Sequence, residues 1–341
     1  MPSVFAHITG QVVLLICILV SSNISNAQAQ DLAALKELYK RPLEIPFPSN
    51  AVYTPQRATL GKMLFFDPRL SGAKNMNCVS CHNPSFGYEV PVETAVGSAN
   101  VALKRQAPTV LNAAWVTTMF WDGRAATLEE QAEGPITAPV EMNGKFEDII
   151  GILEEIPEYA EWFAAAFPTK GITKSTILTA IATYERTVVS GWAPFDRWVE
   201  GQDRAISQSA IRGFKLFNGK AKCDKCHTGW NFTDNKFHDV GLFGDDLGRG
   251  ALEPDNSKMQ FAFKTPGLRN LSYRAPFMHD GSLPDLDAVM AHYNSGGMER
   301  PSRSEHVHPL ELNNEELEDL KAFMLSLTAE QTQTPMPTLP N

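Results

Sequence analysis

Cysteine is scarce: of five in 341 residues, four stand in two short motifs, Cys78–Cys81 and Cys223–Cys226, and Cys17 lies alone in an N-terminal apolar segment. With the motifs set aside, the mature chain has no thiol left for disulfides or for a separate metal site. Long apolar runs are also missing. The run Val12–Val20 is too short to span a bilayer, and no stable membrane insertion is expected. Residues 1–30 contain no Lys or Arg, only His7, yet end in Ala27-Gln28-Ala29, a small-residue cleavage pattern. They read as a signal peptide for export to the periplasm, with a retained N-terminal anchor as the alternative. There is no excess of positive charge: 30 Lys and Arg against 39 Asp and Glu give −9, which excludes nucleic acid as the natural partner and suits a basic protein steered by charge. Strand signals are scarce as well.

What the chain does have is one device used twice. Cys78-Val79-Ser80-Cys81-His82 returns as Cys223-Asp224-Lys225-Cys226-His227. In a Cys-x-x-Cys-His run the two thiols form thioethers with haem vinyl groups, and the histidine that follows is held against the iron. Two covalently bound haem c groups are expected, with His82 and His227 as proximal ligands. A redox dithiol or a zinc site is the alternative, but neither requires a histidine after both second cysteines.

Between these motifs the spacing predicts helices over 32–39, 56–66, 146–167, 172–189, 286–293 and 315–327, with Pro55 suited to a first helical turn. A proline-rich connector, 41–54, wraps a surface, and 83–106 is a loop folded over the first haem. Three prolines in the last residues predict a disordered tail at 331–341. The organisation expected is 1–30 signal peptide, 31–190 N-terminal haem domain, 191–330 C-terminal haem domain, then the tail.

An internal repeat supports this division. Leu60-Gly61-Lys62-Met63-Leu64-Phe65 before the first motif echoes Arg212-Gly213-Phe214-Lys215-Leu216-Phe217 before the second. Downstream, Pro108, Asn112 and Asp122-Gly123 recur at the same offsets as Pro266, Asn270 and Asp280-Gly281. Thirteen residues after the shared aspartate the units diverge: Pro135 in the first, Tyr293 in the second. A phenol can bind iron and a proline ring cannot. The second haem is therefore expected to have Tyr293 opposite His227, with Met290 and His292 as rival ligands, while the first is open to a small molecule.

These residues resemble the bacterial di-haem cytochrome c peroxidase and MauG family. The likeness runs from about Gln56 to Leu327 and rests on Leu60–Asp67, Cys78–His82, Ala107–Asn112, Phe120–Ala125, Glu130–Ile136, Pro139–Met142, Cys223–His227, Pro266–Asn270 and His279–Ser282. It implies a mostly α protein of two tandem cytochrome c-like domains, with hydrogen peroxide reacting at the N-terminal haem and electrons passing through the C-terminal one. It also implies that Gln131, Glu141 and Pro135 form the distal pocket of the first haem, with Glu141 moving protons and Gln131 orienting oxygens. Trp121 matches the family's tryptophan between the haems. A calcium ion often held between the domains would fall on Gln106, Arg274 and Pro276, where glutamine replaces the usual asparagine.

Two departures select a branch. Family members that require reductive activation carry a loop histidine where this chain has Ser98, and no histidine occurs between His82 and His227. They also carry methionine where this chain has Tyr293. Both departures resemble the MauG-type branch, whose members oxidise tryptophan or related residues of a partner protein. The alternative is peroxide detoxification with electrons from a small cytochrome or cupredoxin, and a pure electron carrier is the third reading, disfavoured by the open first site.

Overall fold

Ten α-helices, nine 3-10 turns and one short ribbon make up the regular structure of residues 31–341, which the computed structural model describes; the expected signal peptide lies outside them. Helix α1 covers 31–38. The first haem unit is built from α2 (Pro55–Phe66), α3 (Leu128–Thr137), α4 (Phe146–Glu154), α5 (Pro157–Ala166) and α6 (Lys174–Thr187). The second uses α7 (Pro194–Val199), α8 (Gln208–Asn218), α9 (Leu286–Ser295) and α10 (Asn314–Ser326). Strands β1 (Phe237–His238) and β2 (Phe263–Lys264) pair antiparallel.

Local chemistry explains the boundaries. Thr54 caps α2 by accepting Arg57 N at 3.2 Å, and Pro55 supplies a helical φ at no cost in hydrogen bonds. Thr173 and Thr176 cap α6 reciprocally. Pro157 breaks the expected 146–167 helix into α4 and α5, because it cannot donate to the preceding turn. Thr127 caps α3 by accepting Glu130 N at 3.1 Å, although Pro135 lies inside this helix.

Each unit has its own core. Leu60, Leu64 and Phe65 of α2 meet Ile177 and Ile181 of α6, with Tyr159 and Phe163 behind them. In the second unit Phe214 and Phe217 of α8 close on Phe323 of α10, with ring centroids 5.4 and 5.1 Å apart. The echoed glycines sit at these two helix crossings. A Cβ on Gly61 would lie 1.8 Å from Ala180 O, and one on Gly213 would lie 1.9 Å from Asp319 O. Backbone cannot yield as a flexible side chain can. Gly61→Ala and Gly213→Ala should therefore each lower stability by about 3 kcal/mol, measured as the denaturant midpoint of the holoprotein; wild-type midpoints would show the crossings to be looser than this.

The repeat extends to backbone conformation. Asn112 and Asn270 are both left-handed, at φ 61° and 60°, and each opens a short 3-10 turn. Gly123 and Gly281 match at φ 72° and 69°.

The chain ends depart from the expected division. Helix α1, placed by sequence in the first domain (31–190), belongs to the second core: Tyr39 is buried there and donates to Asn218 Oδ1 at 2.6 Å, while Lys36 Nζ donates to Trp198 O at 3.0 Å. The tail at 331–341, expected to be disordered, lies extended along the first domain instead. Gln331 Nε2 donates to Ser85 O at 2.7 Å, Arg69 donates to Pro340 O at 2.8 Å, and Leu339 packs on the first core. Proline-rich backbone is already extended and keeps its carbonyls free as acceptors, so it docks with little ordering cost. Each domain is thus held by the far end of the chain.

Candidate functional site

Both Cys-x-x-Cys-His runs fold the same way. Cys78 opens a 3-10 turn, and its carbonyl accepts Cys81 N at 3.1 Å and His82 N at 2.8 Å; Cys223 does the same for Cys226 and His227 at 3.3 and 2.8 Å. This compact turn puts both thiols and the imidazole on one side. His82 Nδ1 faces Tyr88 O at 3.2 Å and His227 Nδ1 faces Phe232 O at 2.9 Å. A ring that donates Nδ1–H to a carbonyl presents a bare Nε2, the form a metal requires. Burial, the largest cause, lowers the pKa of both histidines and keeps them neutral. All four cysteines are free of disulfides.

The second motif opens on a mainly apolar cavity whose wall includes Cys223, Cys226, His227, Met290, Tyr293 and Trp121. Helix α9 places Tyr293 there. Its hydroxyl has no hydrogen-bond partner among the described residues, and burial first, then Cys226 and Cys223, push its pKa up. Met290, one turn earlier, lines the same wall. His292 does not: its Nε2 faces Val240 O at 2.9 Å. His306 and His308, which the sequence reading passed over, also line the cavity; their period-two spacing was the available signal.

At the first site α3 carries Gln131 and, one turn on, Pro135; the chain then turns back through Glu141, with Met142 N bonded to Pro135 O at 3.0 Å. The Glu141 carboxyl is half-buried and its pKa is raised by burial, against a smaller lowering by Arg124. It lies near the first motif, because with burial it pushes the Cys81 thiol up to about 11. Ser98, at the loop-histidine position, donates its backbone N–H to Glu141 O at 2.8 Å. Gly97 makes this contact feasible, since a Cβ there would lie 2.0 Å from Val140 O. Glu185, whose charge bears on Cys78, has a buried Oε2 with no partner, and burial raises its pKa to about 8.

Trp121 lies at the boundary between the domains. Its Nε1 donates to Gln106 O at 2.9 Å, and its ring lines both the second cavity and a cleft between domains shared with Pro108, Phe120 and Arg274. His279 meets it edge-on at 6.5 Å. Gln106 is buried and donates Nε2 to Pro276 O at 2.7 Å, while Arg274 pairs with buried Glu89 at 2.9 Å across the domains. Two further groups escaped the sequence reading: Asp234 binds His238 at 2.8 Å and holds it protonated up to about 9, and Lys264 reaches into the cleft.

The donor set fits haem: two half-buried thiols free of disulfides and one neutral imidazole with Nε2 free in each motif, and an apolar cavity at the second motif holding an unpartnered phenol. A helical scaffold with two such motifs defines a two-haem oxidoreductase. A family model described as di-haem cytochrome c peroxidase matches residues 55–204. The chain belongs to this di-haem cytochrome c peroxidase and MauG family, being 48% identical over 319 residues to methylamine utilization protein MauG of Methylorubrum extorquens, with 93% of this chain and 90% of that one covered. It is 34% identical over 305 residues to cytochrome c551 peroxidase of Nitrosomonas europaea, covering 88% and 87%. Among solved structures, a MauG-like protein associated with microbial copper homeostasis matches at a TM-score of 0.80 and 28% identity, over 86% of this chain and 95% of that one. No helix among the described residues is long and apolar enough to cross a membrane.

Proposed function

We propose that this oxidoreductase works in the periplasm and uses hydrogen peroxide at the first site to oxidise tryptophan or similar side chains of a partner protein. The observation that carries this reading is the Tyr293 hydroxyl, which lines the cavity at the second motif and has no hydrogen-bond partner among the described residues. A phenolate there favours oxidised iron, which suits removal of electrons from a protein more than acceptance of electrons at high potential. When bound through Cys78, Cys81, Cys223 and Cys226, the two haems supply iron that carries two electrons from the partner to peroxide.

The chain's own residues manage protons and access. Reduction of one peroxide to two waters consumes two electrons and two protons. Glu141 takes the proton from the inner oxygen and returns it to the outer one; its raised pKa keeps it ready to do both. Gln131, whose carboxamide has no protein partner among the described residues, would orient the oxygens, and Pro135, one turn on in α3, has no atom that could ligate iron held by His82. The Ser98 N–H fixes the backbone of Glu141, so the loop that would close the site in relatives needing activation braces the acid here. Trp121 relays charge between the sites.

We further propose that the Gln106–Pro276 bond takes the place of the expected calcium ion, since the amide nitrogen, not its oxygen, faces the carbonyl. Metal analysis of the purified protein tests this: one tightly held calcium per chain would restore the ion.

The detoxifying reading draws support from the likeness to cytochrome c551 peroxidase. The two are separated by mixing ferric protein with peroxide and candidate periplasmic proteins, then mapping mass changes. Oxygen additions or cross-links at defined aromatic residues are expected; turnover with a reduced small cytochrome and no modification of any protein would favour the peroxidase.

A further inference from the structure

Buried cations at the domain boundary each have a carboxylate, with one exception. Arg274 pairs with Glu89 at 2.9 Å, Arg269 with Asp196 at 2.7 Å, and Arg105 with Asp122 and Asp246 at 2.6 and 2.7 Å. Lys264, on β2, has none among the described residues. Its Nζ donates only to Thr118 O of the first domain, at 2.6 Å. The nearest acid acting on it, Asp122, is already taken by Arg105 and by Arg124 at 3.0 Å. Burial lowers the Lys264 pKa to about 8, which is the cost of an ammonium enclosed without an anion.

The position of Lys264 indicates the missing anion. It lines the second cavity together with Cys223, Cys226, His227 and Tyr293, and also the cleft beside Trp121, whose carbonyl accepts Lys264 N at 2.8 Å. Of the other cations on that wall, Arg274 is held by Glu89 and His238 by Asp234, while Lys222 is exposed to solvent and so needs no enclosed counter-charge. A haem brings two carboxylates into its site, and an enclosed carboxylate needs a counter-charge as much as an enclosed ammonium does.

We infer that Lys264 is the counter-ion for a carboxylate of the second haem, at the edge that faces Trp121 and the first domain. The inference rests on haem binding at the second motif and is independent of which partner is oxidised. Because Lys264 also binds Thr118 O, it ties that haem edge to the first domain. Its charge opposes the extra positive charge of ferric iron and so raises the potential of the second haem alone.

The test is potentiometric titration of the di-haem holoprotein carrying Lys264→Gln, with Lys264→Arg as the charge-keeping control. Removing the charge should shift the ferric–ferrous equilibrium of the second haem about tenfold toward ferric, or about 59 mV lower. The first haem should move much less, and the arginine variant should stay near wild type. An unchanged second haem, or an equal shift in both variants, would overturn the assignment. If Lys264→Gln fails to retain haem, haem content decides: recovery in Lys264→Arg supports the charge, and loss in both shows that shape alone matters.

Discussion

Glu141→Gln is expected to lower the rate of peroxide consumption by on the order of 10²-fold or more, the usual loss when a positioned acid/base is removed. Glutamine keeps the volume and hydrogen-bonding shape, so peroxide should still enter and its apparent affinity should change little. The pH profile is the sharper readout. The carboxylate form must accept the first proton, and burial raises the Glu141 pKa above its ordinary value of 4.5. Wild-type activity should therefore rise with pH through that raised pKa, and the Gln variant should lose this limb. Stopped-flow mixing with peroxide measures both; an unchanged rate and profile would remove Glu141 from the mechanism.

Tyr293 carries the second large effect. Tyr293→Met exchanges an anionic donor for a thioether, which stabilises ferrous iron. The ferric–ferrous equilibrium of the second haem should move on the order of a hundredfold toward ferrous, ~120 mV at about 59 mV per decade. Partner oxidation should fall with it, while peroxide consumption with an artificial donor suffers less, since Gln131 and Glu141 are untouched. Tyr293→Phe separates ligation from packing, because it removes only the hydroxyl, which has no partner among the described residues. If Phe leaves the spectrum and potential of the second haem as they were, Tyr293 only fills space, and Met290, His306 or His308 on the same wall becomes the ligand to test.

Much of this molecule could be read from its residues because the covalent chemistry of haem c demands a fixed local string. The paired glycines show a second kind of legibility. Gly61 and Gly213 were visible as an echo, and the structure supplies their cause in two helix crossings too close for a Cβ. Tyr293 was reached through register alone, by counting from Asp280 and comparing with Pro135.

What escaped the reading was what depends on distant contacts. Helix α3 was hidden because Pro135 breaks the usual pattern, although two later residues complete the helix. The exchange of chain ends was invisible: Tyr39 looks like the end of a first-domain helix, yet its partner is Asn218. The tail looked disordered because proline content does not reveal whether a groove will accept it. Lys264 had no local signal, since a lysine beside a threonine usually faces water. Only the fold places it between two cavities without a carboxylate.

The central claim is that the first site is open to peroxide in the oxidised protein while Tyr293 closes the second. Electron paramagnetic resonance of the ferric protein as isolated tests this most directly. With Ser98 N–H bonded to Glu141 O in place of a loop histidine, the spectrum should contain one high-spin and one low-spin signal of equal weight, and peroxide should react without prior reduction. Two low-spin signals, with reactivity appearing only after partial reduction, would contradict the account.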